Sequence, residues 1–209
     1  MKVFASLLAL SAAALGFVAP ATAAADDVAA AYADLNGDHR IDRVQVRPAP
    51  DDQNEQILIG SVGRTNYVTR IRLDTNVGVR PLRVVDLDRD GRQEVVVTEV
   101  VGANTLWYTV WRLDNGWQPL RSSAGGPALI LFEGGGISAL SRYGCVSANG
   151  HRELVVVGAL LQDPWDAGIY AGDRVTYVVV NGVAQVTSRA TVSGSRGTLE
   201  AMADPNACV

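Results

Sequence analysis

Apolar and polar positions alternate at period two over much of this chain. Residues 67–73 (Tyr-Val-Thr-Arg-Ile-Arg-Leu) do so cleanly, which predicts a strand with one buried and one wet face. Residues 44–46 and 56–60 alternate or run apolar, and 94–101 and 153–161 are β-branched or apolar almost throughout. An aromatic-led run, 107–113, enters Asp114-Asn115-Gly116 and resumes at Trp117; residues 176–180 turn at Asn181-Gly182 into 183–187. Asn and Gly both tolerate positive φ, so Asn-Gly between apolar runs predicts tight hairpins. Residues 122–139, with Ala128-Leu-Ile-Leu-Phe132 and the run Gly134–Gly136, offer further strands. Helical periodicity is confined to 28–33, and Ser193-Gly-Ser-Arg-Gly197 reads as a mobile turn. The pattern predicts an all-β fold.

The turns contain a repeat. Asp34-Leu-Asn-Gly-Asp-His-Arg-Ile-Asp42 recurs as Asp86-Leu-Asp-Arg-Asp-Gly-Arg-Gln-Glu94, and in eroded form as Cys145-Val-Ser-Ala-Asn-Gly-His-Arg-Glu153. Each copy opens onto a strand, a connection, an aromatic-led strand and a hairpin. This divides residues 26–209 into units near 34–85, 86–144 and 145–209.

Oxygen ligands at loop positions 1, 3, 5 and 9, with the carbonyl of position 7, suit a hard cation that takes six to eight oxygens. In the second loop these are Asp86, Asp88, Asp90, Glu94 and the carbonyl of Arg92; in the first they are Asp34, Asn36, Asp38, Asp42 and the carbonyl of Arg40. Carboxylates so close together repel one another unless a cation is present. Calcium fits better than magnesium, which keeps its waters and demands strict octahedral geometry. Gly91 supplies a bend at position 6; His39 stands there in the first loop, making that site the poorer one. Leu35 and Leu87 at position 2 read as inward anchors. The third copy replaces its early ligands by Cys145, Ser147 and Asn149 and predicts no ion. An EF-hand or dockerin would need an acid at position 12 and a following helix, whereas Gln45 and Val97 stand there and Val95-Val96-Val97 continues as strand.

These loops resemble the FG-GAP or VCBS-type repeat of integrin α-chain propellers and many secreted bacterial proteins, whose core is an Asp-x-Asp/Asn-x-Asp-Gly-x-x-Asp loop before an apolar strand. Residues 86–94 match except for Glu94, 34–42 except at His39, and Val155-Val156-Val157-Gly158-Ala159 resembles the strand ending. The Phe-Gly start is missing from all three units. The resemblance implies a small β-propeller-like domain with calcium loops between the strands of a blade. Three recognisable units are fewer than the four to eight blades of ordinary propellers. One unmarked blade, an open stack or completion by another chain would each reconcile the count.

The N-terminus sets the compartment. Lys2, an apolar run over 3–18, Pro20 and small residues to Ala25 have the order of a secretory signal peptide, residues 1–25. No later stretch is long and apolar enough to span a bilayer as a helix. The whole chain carries 18 basic and 22 acidic residues, a net charge of −4, and losing Lys2 makes the balance more negative. That disfavours nucleic acid and anionic membranes as partners. In an exported protein the pair Cys145 and Cys208 reads as a disulfide, which stabilises by about 4 kcal/mol in the chain-entropy model. It stands where the third loop has lost its ligands, so a covalent tie replaces the ion there. The rival, a Cys145 nucleophile with His151, lacks a third orienting group and would lose its thiol to the disulfide.

Other chemistry is sparse. His39 and His151 lack zinc-ligand spacing, the acids cluster in ion-binding spacing and not across a glycosidase-type cleft, and there is neither a Gly-x-Ser-x-Gly elbow nor a phosphate-cradling loop. Trp107, Trp111 and Trp117 read as core and hairpin packing before a sugar- or peptide-stacking face. The sequence therefore predicts a secreted, non-enzymatic, calcium-binding β-repeat module for an extracellular protein or glycan. The alternative is an exported hydrolase with an unidentified active site.

Overall fold

Period-two patterning becomes three antiparallel meanders in the computed structural model, which describes residues 28–75, 77–148, 150–163 and 168–209. The expected leader, residues 1–25, and Asn149 of the third copy lie outside them. The first meander is β1 (Ala29–Ala33), β2 (Asp42–Pro48), β3 (Glu55–Val62) and β4 (Thr65–Arg72); the second is β5 (Arg83–Val85), β6 (Glu94–Val101), β7 (Thr105–Leu113) and β8 (Trp117–Pro119). After β9 (Ile130–Gly134), the third is β10 (Ala139–Ala148), β11 (His151–Leu161), β12 (Ile169–Val180) and β13 (Val183–Ser195). The first meander is a separate four-stranded sheet; the rest join in a nine-stranded one. The junction of β9 with β10 is slender, a single register pair, Ser141↔Gly134. Arg83 stitches it from β5, donating to Tyr143 Oη at 2.8 Å and to Glu133 Oε2 at 2.8 Å. Among the described residues no barrel or propeller closes.

Burial explains why the strands read differently. The second meander lies between the other two. Val95 and Val97 of β6 pack with Val44, Val46, Leu58 and Trp117 on one side, while Val96 packs with Tyr108, Val110, Leu131 and Leu154 on the other. A strand buried on both faces must be apolar throughout, and β6 is the β-branched run noted above. The first meander is wet on its far face, so β4 alternates. Register places Tyr32, Arg43, Arg47, Arg70 and Arg72 there, all exposed. Arg70 pairs with Asp51 and, at 2.6 Å, with Glu55. At the opposite end, the far face of β11 is covered by a short helix α1 (Arg196–Glu200). Its Leu199 is fully buried with Leu140, Val155, Val157 and Tyr170.

Three local expectations change. Residues 29–33 form edge strand β1, because pairing with β2 from Ala29↔Val46 to Ala33↔Asp42 outweighs the helix preference of alanine, which so short a run cannot nucleate alone. Residues 193–197 are the end of β13 and the start of α1, where Ser195 Oγ caps by accepting from Thr198 N–H at 3.3 Å. Over its described residues the third copy is strand and not a wound loop: Cys145 to Ala148 continue β10, which pairs with β11 up to Ala148↔His151. Without carboxylates at its early positions, nothing there opposes strand pairing. The Asn-Gly hairpins form as expected, with φ of 51° at Asn115 and 50° at Asn181. Of the three tryptophans at 107, 111 and 117, Trp117 is buried and donates Nε1–H to the Tyr67 carbonyl at 3.1 Å, and the half-buried Trp107 packs edge-on against Phe132. Trp117 lies so close to Gly60 that a Cβ there would stand 2.7 Å from the indole.

Candidate metal centre

Both acidic loops join the first strand of a meander to the second, and they share one backbone course. Positions 4 and 6 have positive φ in each: 77° at Gly37 and 63° at His39, 57° at Arg89 and 86° at Gly91. Each loop thus places one glycine and one ordinary residue in the left-handed region, in opposite order. Leu35 and Leu87 are buried anchors. Their amides donate to the position-9 carboxylate, Leu35 to Asp42 at 3.2 Å and Leu87 to Glu94 at 2.9 Å. Arg40 and Arg92 each donate their amide to the position-5 aspartate, Asp38 at 2.9 Å and Asp90 at 2.8 Å.

The side chains use that frame differently. In the second loop Asp86, Asp88 and Glu94 bring carboxylate oxygens within 4.8 Å of one another. Glu94 is buried, and desolvation, reinforced by the charges of Asp88, Asp90 and Asp86, pushes its carboxyl up to about 8. Burial likewise raises Asp88, with Asp90 adding to it. Asp90 does not join the group. Its Oδ2 lies 3.8 Å from Nη2 of Arg112, a largely buried β7 side chain whose Nη1 has no hydrogen-bond partner among the described residues.

In the first loop no such three-acid group forms among the described residues. Asp34 accepts Gly37 N–H at 2.8 Å and His39 N–H at 2.7 Å, one bond on each oxygen. Asn36 donates to Asp38 at 3.2 Å and accepts Asp38 N–H at 3.1 Å. The Asn36 bond is the main cause that holds Asp38 below the usual carboxylate range, while burial raises Asp42. This loop satisfies its acids internally.

One relation between units was not anticipated. Gln93, at position 8 of the second loop, accepts Asp34 N–H through Oε1 at 2.8 Å, and its own N–H donates to the Asp34 carbonyl at 2.7 Å. Arg152, at position 8 of the third copy, donates to the carbonyl of Asp86. So position 8 of each unit grips position 1 of the unit before it. Two long polar residues at the same repeat position were the available signal; Arg112, isolated on β7, left none. The Cys145–Cys208 disulfide is formed, in the third copy's position 1.

Comparison with protein-family models finds no match for this chain, and comparison with curated proteins finds none either.

Proposed function

We propose that this chain is an exported, calcium-stabilised binding or scaffold module, not an enzyme, in which the second acidic loop holds the ion. The observation that carries this reading is the convergence of Asp86, Asp88 and the buried Glu94. Three carboxylates share a space where each opposes the ionisation of the others, and a divalent cation removes that penalty. Oxygen-only ligands on a tight loop, with the Arg92 carbonyl as the backbone ligand expected from the spacing, suit calcium. The ion is a structural staple that keeps the loop end of the stack in shape. Asp34, Asn36, Asp38, Asp42 and the Arg40 carbonyl form the weaker second site.

The finer fold reading belongs here as well. Three four-stranded meanders, with the acidic loop joining the first two strands of both loop-bearing ones, support an open arc of propeller-type blades of the FG-GAP or VCBS kind. The order of residues 1–25 and the disulfide support export. The partner is an extracellular protein or glycan.

The test is calcium titration by calorimetry, with thermal melting in calcium and in chelator. Saturable uptake, lost in Asp86→Ala plus Asp88→Ala, is expected. Melting that ignores both chelator and the double substitution defeats the proposal, and turnover of glycans or esters would favour the hydrolase.

A further inference from the structure

The most heavily braced residue at the candidate ion loop is held from outside it. The Asp86 amide donates to the carbonyl of Cys208 at 2.9 Å. Arg152 donates through Nη1 to the carbonyls of both Asp86 and Cys208, the latter at 3.0 Å, and through Nη2 to the Val209 oxygen at 2.9 Å. Cys208 is fully buried, at the end of the 3-10 turn Pro205–Cys208, and is bonded to Cys145 of β10. The same chain segment is laid against β10 by a backbone bridge, Cys145↔Asp204. Gly144 makes this approach possible: a Cβ there would lie 2.2 Å from the Asp204 nitrogen. Both backbone polar groups of the first ligand are therefore fixed by Arg152 of β11 and by a C-terminal segment that the disulfide ties covalently to β10.

Resting on the calcium reading above, we propose that Arg152 and the disulfide-tied Cys208 form a latch that positions Asp86, so that the third unit sets the cation affinity of the second. Arg152 is a positioning residue and touches no ligand oxygen of the side-chain group. Among the described residues the backbone of the first loop's position 1 is gripped by Gln93 and not by the C-terminal segment, and opening the disulfide should leave it unmoved. Partners that orient a metal ligand typically alter affinity 10–100-fold when removed. Reduction by a dithiol, which gives two thiols and an oxidised dithiol, would thus convert a tight site into a weak one.

The experiment is calcium calorimetry on the oxidised full chain, on Arg152→Ala and Arg152→Lys, and on the chain reduced with dithiothreitol. Each is paired with melting in chelator and with hydrogen exchange at the Asp86 amide. The latch predicts at least a tenfold loss of affinity in Arg152→Ala and on reduction. Arg152→Lys should retain part of the affinity, since an ammonium still reaches one carbonyl. Asp86 amide protection should fall in step. If the altered proteins stay folded in chelator and bind calcium as the oxidised wild type does, the latch is refuted. If they lose affinity only in proportion to a general fall in melting temperature, with Asp86 protection unchanged, Arg152 is merely structural and the latch is again refuted. An oxidised wild type that takes up no calcium overturns the calcium reading, and the affinity claim with it.

Discussion

The first and second acidic loops have the same backbone and different side-chain economies. In loop 34–42 the carboxylates turn inward to amides of their own loop, and Asp34 has a bond on each oxygen. In loop 86–94 three carboxylates face one another and one of them is buried. The shared course comes from the leucine anchor, the position-9 acceptor and two left-handed residues. Asp86, Asp88 and Glu94 also accept loop amides, from Arg89 at 2.7 Å, Asp90 at 3.3 Å and Leu87 at 2.9 Å. Each of these bonds falls on one oxygen, and the ion-binding potential comes from the convergence of the three side chains. A loop shape and a metal site are thus separable properties of one repeat.

The largest effect tests the shared part. Leu35→Ala and Leu87→Ala should each cost about 2–5 kcal/mol by urea unfolding, as buried Leu→Ala changes do. Similar losses confirm a common anchor, and a large difference breaks the equivalence. Next comes the unshared part. Calcium at a hundredfold excess over Kd stabilises by about 2.7 kcal/mol, or about 5–10 °C in a domain of this size. This shift should vanish in Asp86→Ala plus Asp88→Ala and persist in Asp34→Ala.

pH separates the loops as well. Glu94 has its carboxyl raised from 4.5 to about 8, so the folded chain holds a proton that the unfolded chain releases earlier. In chelator, stability should be highest below about pH 4.5 and fall as pH rises to about 8. Glu94→Gln should flatten that slope, measured by melting across the range, whereas Asp42→Asn should flatten it less. With calcium present the slope should shrink, because binding requires the carboxylate.

Smaller still, Arg112→Gln should release Asp90 toward the ion and tighten calcium by up to about tenfold, an outer-partner effect with its sign reversed; calorimetry decides. Smallest, His39→Gly should stabilise by about 1 kcal/mol, by relieving a left-handed non-glycine. Arg89→Gly is the matching change in the second loop, read by the same unfolding curves.

Much of this was legible in sequence. Alternation in residues 67–73 marked a one-sided strand, and the Asn115-Gly116 and Asn181-Gly182 pairs marked hairpins, because both depend on local geometry. The spacing of Asp86, Asp88 and Glu94 pointed to the acids that converge. What stayed hidden was tertiary. Nothing local shows that Arg112 draws Asp90 aside, or that β1 takes its conformation from β2. The eroded third copy kept its sequence register while abandoning the loop, since its residues pair equally well as strand.

The wet arginine face of the first meander and the helix laid over the last one have a consequence for assembly. Each interior layer offers an apolar surface that another layer could continue, but both ends refuse it, one by charge and one by cover. Repeat arrays depend on such terminal units to stay in solution. The two outer faces of the described stack thus differ in kind from its interior ones. Adding a fourth unit at either end would first require removing four exposed guanidinium groups or displacing Leu199.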